Sequence, residues 1–426
     1  MANSLTRRNL LQTTAAIGSG YLLGEPSQAH AKDSPNEKLN VAVIGIGGQG
    51  GSNLNQVSSQ HVVALCDVDD QRAGKAYERH PGAKKYVDFR IMLDEMEKQI
   101  DAVVVSTPDH MHFHPAMKAM EMGKHLYCEK PMAHSVWETR AMTNLAKKMG
   151  VATQLGVQRH TLPNLHRSVE LVKAGVIGKV SEVHSWVEGD RGMPGMPQDT
   201  PSIPTHLNWD LWLGPARERS YHPTYCPYGW RFWWDFGTGE TGNWGCHILD
   251  IPYWALDLTY PTKVTASGPP SHPQMTPKQL SSSFEFPAEE VVLHWYHAKQ
   301  GPLILQELGL DHRGMNTLFI GSEGQLLTGF HNYKLYPEEK FAETKPDQSL
   351  PNSPGFHQEW FDACRGGPAA TCDFAYSGRL SETVLLANVA YRAGGSFDWD
   401  AANLHVTGNQ AAADAIRTEF RKGWEV

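Results

Sequence analysis

Gly45-Ile46-Gly47-Gly48-Gln49-Gly50 is a G-x-G-x-x-G run that directly follows the apolar stretch Leu39–Ile44. Glycines in this order, between a strand-like run and a helix starting near Gln49, suit the binding of a pyrophosphate. Gly45 permits the tight turn, Gly47 lets the backbone approach the phosphates, and Gly50 allows close packing of helix on strand. Ile46, Gly48 and Gln49 complete the loop, and the free N–H groups at the helix N-terminus favour the negative charge. The next apolar run, His61–Cys66, ends at Asp67, about 20 residues past the first glycine as a dinucleotide fingerprint requires. A carboxylate there accepts hydrogen bonds from the adenosine ribose and repels a 2′-phosphate. The pattern predicts NAD in preference to NADP.

The elements that must position this loop follow in sequence. Asp101–Val105 reads as a buried parallel strand. It ends at Ser106-Thr107-Pro108-Asp109-His110, at the carboxyl end of the strand, where open α/β sheets bind their ligands. Thr107, Pro108 and His110 are therefore candidate cofactor contacts. Met111–Met122 reads as a helix capped by Gly123, and His125–Cys128 as the next strand, leading into Glu129-Lys130-Pro131.

A chain of 426 residues suggests two domains. The formal net charge of −8 is spread along the chain with no basic stripe, which argues against a nucleic-acid partner. No CxxC or His-x-x-x-His spacing argues for a metal site. Cys66 and Cys128 read as packed thiols, and Cys364 with Cys372, or Cys226 with Cys246, are open as disulfide pairs.

Beyond Val157 the composition shifts towards Trp, Tyr, Pro and Gly. Leu165–Ala174, Phe356–Arg365, Leu380–Arg392 and Ala411–Lys422 read as helices. Val180–Val187, Val291–Tyr296, Leu303–Leu308 and Thr317–Gly321 read as strands, and Gly189–Thr205 as an irregular loop over a cleft. Trp209, Trp212, Tyr225, Tyr228, Trp230, Trp233, Trp234, Trp244 and Trp254 lie close together. Indole faces stack on sugar rings while polar neighbours hold the hydroxyls. Arg159, His160, Tyr225, Tyr228, Trp230, Arg231, Trp234 and Asp235 are accordingly candidate substrate contacts.

The first thirty residues differ in kind. Thr6-Arg7-Arg8-Asn9-Leu10-Leu11 is a twin-arginine pattern, Leu10–Leu23 is modestly apolar, and Ala29-His30-Ala31 offers a cleavage site. The expected organisation is a twin-arginine signal peptide over 1–31, a linker over 32–38, a Rossmann domain over 39–157 and a substrate-binding and oligomerisation domain over 158–426. The membrane is met only during export, and the destination is the periplasm or its equivalent.

Taken in order, Gly45–Gly50, Asp67, Thr107-Pro108, Glu129-Lys130-Pro131 and Gly245-Cys246-His247-Ile248-Leu249-Asp250 resemble the glucose–fructose oxidoreductase / inositol dehydrogenase / rhizopine-catabolism protein family over nearly the whole mature chain. Trp209-Asp210-Leu211-Trp212-Leu213-Gly214-Pro215 looks like an exported subgroup. The resemblance implies an α/β N-terminal Rossmann domain and an α+β C-terminal domain with an open, mostly antiparallel sheet. It implies that Lys130 reaches the reacting oxygen beside the nicotinamide, and that the peptide before Pro131 is cis. The family's catalytic helix carries Asp-x-x-x-His-x-x-Asp, and the matching positions here are Asn243, His247 and Asp250. His247 is the candidate general base. Asn243 departs from the pattern, since an amide takes no proton and carries no charge. Association through the outer face of the second sheet, as a homodimer or homotetramer, is also implied.

The leading expectation is hydride transfer between tightly held, recycled NAD and a secondary alcohol of a saccharide or cyclitol. One alternative is glycoside hydrolysis through transient ring oxidation, with Tyr225 or Tyr228 as a second acid/base. Another is a non-catalytic protein that binds NAD and a saccharide. The leader is testable on its own: Arg7→Lys with Arg8→Lys is expected to leave the protein in the cytoplasm, read by cell fractionation, and undiminished export of the double variant would refute the assignment.

Overall fold

The computed structural model describes residues 38–425. The leader, its cleavage site and nearly all of the linker lie outside the described residues. Within 38–425 no helix is long and apolar enough to cross a membrane.

The first sheet contains β1 (Asn40–Ile44), β2 (His61–Cys66), β3 (Lys84–Tyr86), β4 (Ala102–Val105), β5 (His125–Cys128) and β6 (Thr153–Leu155). Their spatial order is β3-β2-β1-β4-β5-β6, and every pairing is parallel. The apolar runs in β1 and β4 are buried on both faces, as parallel strands covered by helices must be. Chain order reverses between β1 and β4, and this switch point opens a crevice at the carboxyl ends of the strands.

The helices that matter for the crevice are α1 (Gln49–Val57), α2 (Asp70–Arg79), α3 (Phe113–Glu121), α4 (Val136–Met149), α5 (Pro163–Lys173), α6 (Gly239–Ile248), α7 (Asp250–Ala255) and α8 (Phe374–Arg392). α4 begins with a capping box, in which Ser135 accepts from the Glu138 N–H and the Glu138 carboxylate accepts from the Ser135 N–H. It stops at Gly150 in the left-handed conformation.

The second sheet contains β7 (Val180–Glu188), β8 (Lys263–Ser267), β9 (Leu280–Phe286), β10 (Val291–Ala298), β11 (Thr317–Gly321), β12 (Gln325–Thr328), β13 (Tyr333–Tyr336), β14 (Ser396–Asp400) and β15 (His405–Thr407). Its order is β13-β12-β11-β7-β10-β9-β8-β14-β15. Only β7 with β10 is parallel among its pairings. β8, β9 and β10 alternate buried and more exposed residues, the pattern of a sheet with one covered face.

α8 joins the two layers and is buried along most of its length. From α4, Arg140 meets Glu382 of α8 in a two-pronged ion pair at 2.7 Å for each bond. Just before α8, the Cys372 carbonyl accepts from the Leu155 N–H, adding the chain to the edge of the first sheet.

Two expectations are corrected, and the open question of disulfide pairing is answered. Leu303–Leu308 contains a short helix, Ile304–Glu307, whose Leu305 covers one end of the second sheet together with Trp186, Met315 and Leu318. The last helix is only Gln410–Ala415; Asn409 caps its start by accepting from the Ala412 N–H, and the chain beyond it packs as irregular structure, with Phe420 on Phe113 and Trp424 on His114. All six cysteines are free thiols.

The glycine loop shows why side chains are excluded there. A Cβ on Gly50 would stand 1.8 Å from the Gly45 carbonyl oxygen. Gly45 itself has φ +77°, and a Cβ on it would meet the Ser106 carbonyl oxygen at 2.8 Å. Gly50→Ala is therefore expected to lower stability by about 3 kcal/mol, measured by chemical denaturation; an unchanged midpoint would show that helix and strand can separate freely.

Candidate active site

A cavity of about 460 Å³ lies at the carboxyl edge of the first sheet and is lined from both layers. Gly45, Gly47, Gly48, Gln49, Asp67, Thr107, Pro108, Glu129 and Lys130 all line it. Asp67 Oδ2 accepts from the Ile46 N–H at 2.8 Å and Oδ1 from the Asp69 N–H at 3.0 Å. These bonds clamp the glycine loop to the end of β2. Burial raises the Asp67 pKa, opposed by the two N–H donors.

Glu129 is the hub at the end of β5. Its Oε1 accepts from Asn53 at 2.9 Å and Gln158 at 2.7 Å, tying α1 to the segment after β6. A Cβ on Gly156 would stand 2.7 Å from this carboxylate. The next residue, Lys130, sends its ammonium across to α6, donating to the Asn243 carbonyl at 2.8 Å and to Asn243 Oδ1 at 3.2 Å. The Lys130–Pro131 peptide is cis. Burial lowers the Lys130 pKa, while Glu129 and Asp109 oppose that shift.

α6 is pinned at its start. Asp109 Oδ2 accepts from the Thr238 hydroxyl at 2.6 Å and from its N–H at 3.1 Å. Asn388 of α8 donates to the Thr238 carbonyl, and Trp295 of β10 donates to Thr241. Asn243 and His247 then follow one turn apart, on one helical face, and both line the cavity. His247 is buried, and its Nδ1 has no hydrogen-bond partner. Burial first, then the charges of Lys130 and Arg159, hold the imidazole well below its ordinary pKa, so it is neutral at neutral pH.

The substrate side is aromatic and cationic. Arg159 lies over Phe330 at 4.1 Å and Trp244 at 5.1 Å, and Arg231 over Trp230 at 4.2 Å and Tyr228 at 4.7 Å. Arg159, Tyr228, Trp230, Arg231 and Trp244 line the cavity. The 189–205 loop reaches its rim, where Arg191 donates to the Tyr228 hydroxyl at 2.8 Å.

Eight sequence candidates are not among the lining residues. Asp250 does not continue the face of Asn243 and His247, because α6 stops at Ile248 and Asp250 opens α7. Its fully buried carboxylate pairs with His160 Nδ1 at 2.9 Å and accepts from Tyr376 at 2.6 Å. His160 is thereby committed to Asp250 and stacks on Trp254 at 4.0 Å. His110 has both ring nitrogens against carbonyls, of Phe236 and Trp212, and burial lowers its pKa to about 3. Tyr225 packs edge-on against Trp233 in an aromatic core. Trp234 donates to the His272 carbonyl and lies under Arg392, away from the cleft. Ile46 contributes its N–H to Asp67 while its side chain is buried, and Gly50 lies beneath the loop as packing. Asp235, another candidate, is paired with Arg219 at 2.6 Å.

Four residues went unnoticed in the sequence. Arg72, in the first turn of α2, approaches the glycine loop, its Nε 3.0 Å from where a Gly47 Cβ would be. Asp109 anchors α6, as described above. Glu240, one turn before Asn243, is buried, paired with Arg191 at 2.7 Å, and accepts from Asn243 Nδ2 at 3.4 Å. The helix therefore has a carboxylate beside Asn243, neutralised by a loop arginine. Gln158 is the fourth, and its only sequence signal is proximity to Arg159.

Residues 39–157 match the oxidoreductase family described as an NAD-binding Rossmann fold, and 184–426 match its C-terminal alpha/beta domain. A glycosyl hydrolase family 109 protein of Solibacter usitatus is 32% identical over 203 residues, 41% of this chain and 44% of that protein. An inositol 2-dehydrogenase of Rubrobacter xylanophilus is 30% identical over 167 residues, 38% and 47% of the two chains. The chain thus spans less than half the length of these curated relatives. The WlbA dehydrogenase of Bordetella pertussis, solved with NADH and UDP-GlcNAcA, is similar in fold, with a TM-score of 0.63 at 16% identity over 85% of this chain and 99% of that one. The two matched segments together cover most of residues 39–426, and the chain belongs to the glucose–fructose oxidoreductase / inositol dehydrogenase / rhizopine-catabolism (Gfo/Idh/MocA) family of NAD-binding oxidoreductases.

Proposed function

We propose that this protein is an exported oxidoreductase that transfers a hydride between NAD and a secondary alcohol of a saccharide or polyol. The observation that carries the reading is that Lys130, at the end of the Rossmann sheet, and a neutral His247, on α6, line one cleft with the glycine loop. The loop residues fit a dinucleotide: the backbone at Gly45 and Gly50 has no room for side chains, and Asp67 favours NAD over NADP. Gly45–Gln49 would hold the pyrophosphate, Asp67 the adenosine ribose, and Thr107, Pro108 and Glu129–Lys130 the nicotinamide end. When bound, the cofactor supplies the hydride chemistry.

His247 takes the proton of the substrate hydroxyl, and its unpartnered buried Nδ1 leaves unmet hydrogen-bonding capacity at this position. The Lys130 ammonium stabilises the negative charge that develops on the oxygen, a stronger effect in a site shielded from water. Asn243 orients the ammonium, and Glu240 supplies a nearby carboxylate where the helix lacks one at position 243. Trp230, Trp244 and Tyr228 offer ring faces, and Arg159 and Arg231 offer donors for hydroxyls. Because NAD is scarce outside the inner membrane, the cofactor is held tightly and recycled within each turnover. The chain works as a homodimer or homotetramer.

A second reading is hydrolysis of a glycoside by transient ring oxidation. It is supported by the Tyr228 hydroxyl at the cleft rim and by similarity to the glycosyl hydrolase family 109 protein. Release of nitrophenol from nitrophenyl glycosides without added NAD supports hydrolysis, whereas a keto-sugar product or absorbance at the roughly 340 nm NADH band supports dehydrogenation.

Mass spectrometry of the purified protein is expected to find co-purified NAD, and its absence together with no NAD binding would sink the proposal. His247→Ala is expected to cut kcat by about 10²–10⁴-fold while retaining NAD; unchanged turnover would remove His247 from the mechanism. A base held below its ordinary pKa stays unprotonated as pH falls through 6.5, so the acid limb of kcat/KM is expected below that pH. Arg159→Gln removes one of the cations that depress it and is expected to move the limb upward, whereas a downward move would contradict the assigned electrostatics.

A further inference from the structure

β7 and β10 lie parallel, with His184 beside His294 in register. Along β10, Leu293, Trp295 and His297 are buried, while Val292, His294 and Tyr296 are half-buried on the opposite face. α6 packs on the Trp295 side, where that indole meets Thr241. His294 is therefore on the sheet face turned away from His247.

Three ligand-type side chains converge on that outer face. His184 Nε2 lies 3.1 Å and His294 Nε2 2.9 Å from the same oxygen, Glu182 Oε1. The two imidazoles stack at 4.7 Å with 14° between their planes, and all three ligand atoms fall within 4.8 Å of one another. A tetrahedral zinc ion with bonds of about 2.0–2.2 Å separates its ligand atoms by roughly 3.3 Å. The two contacts of Glu182 Oε1, at 3.1 and 2.9 Å, already lie close to that spacing.

Ordinary hydrogen bonding leaves the cluster incomplete. His184 is 5% exposed, and its Nε2 is buried without an aligned partner, the Glu182 contact lying off the N–H direction. Its Nδ1 lies 2.9 Å from the Tyr296 hydroxyl. With the proton on Nδ1, His184 donates to Tyr296 and keeps the Nε2 lone pair free, the second-shell arrangement that orients a metal-binding histidine. Two imidazoles with one carboxylate suit zinc or a neighbouring late first-row ion rather than calcium or magnesium, which prefer all-oxygen ligands.

We propose that Glu182, His184 and His294 form a binding site for one divalent metal ion of the zinc class on the outer face of the second sheet. The ion clamps β7 to β10, with its fourth position on the side of Glu182 and His294, whose side chains are 42% and 23% exposed in the single chain. None of the three residues lines the cleft, so the site does not depend on the redox reading.

The test uses the untagged full-length protein, stripped with a chelator and titrated with zinc chloride by calorimetry. One zinc per chain is expected, with a higher melting temperature and, after cobalt substitution, the visible bands of a four-coordinate ion. His294→Ala and Glu182→Gln are each expected to weaken zinc roughly 100-fold, and Tyr296→Phe about 10-fold. Failure of the wild type to take up zinc, or uptake undiminished in His294→Ala, overturns the proposal. Circular dichroism checks that the variants fold; should His294→Ala fail to fold, Glu182→Gln, at the exposed rim, decides the matter by the same two outcomes.

Discussion

The Lys130 ammonium leaves the end of β5 and donates to both the carbonyl and the amide oxygen of Asn243. A cation rooted in the first sheet thereby sets the position of a helix that belongs to the second layer. Asp109 does the same from the end of β4, accepting two hydrogen bonds from Thr238 at the start of α6. These two contacts hold α6 against the crevice, and everything it carries, His247 above all, inherits its place from them. A buried ammonium lacking such acceptors would carry a heavy desolvation cost, so the joint is constrained as well as attractive.

Charge follows from the same geometry. Lys130, Arg159 and Arg231 line the cleft; Asp109 and Glu129 line it too, each committed to hydrogen-bond donors, and Glu240 is paired with Arg191. The charge not committed to hydrogen-bond partners around His247 is therefore cationic, and the imidazole among these cations stays neutral. Negative charge that builds on a substrate oxygen meets a ready field there, and a proton meets a free base. Asn243 keeps the hydrogen-bonding part of the family's acidic position without its charge, and the nearest carboxylate, Glu240, is balanced by Arg191.

The second sheet serves two ends because its strands alternate. One face, with Trp295 and Leu293, supports α6 and the core; the other carries Glu182, His184, His294 and Tyr296. Substitutions on the two faces act on different properties of the same strands. α8 ties this sheet to the first through Arg140 and Glu382 and holds the start of α6 through Asn388.

Much of the first sheet was legible in the sequence. Continuous apolar runs ending in Gly45, Asp67, Ser106 and Glu129 can only be parallel strands with loops at one edge, and local glycine chemistry dictates the phosphate turn. Lys130 and His247 were legible through motif and spacing. What spacing could not convey was where a helix breaks: one residue, Leu249, separates α6 from α7 and turns Asp250 from the expected catalytic face into the core with His160 and Tyr376. Tyr225 and Trp234 have the composition of a sugar pocket, yet their neighbours, Trp233 and Arg392, draw them into packing. Local sequence sets which backbone each segment adopts and which groups are available. Only the long-range contacts, between residues as far apart as 109 and 238 or 182 and 294, decide which of those groups meet, because burial and hydrogen-bond partners are properties of the packed whole.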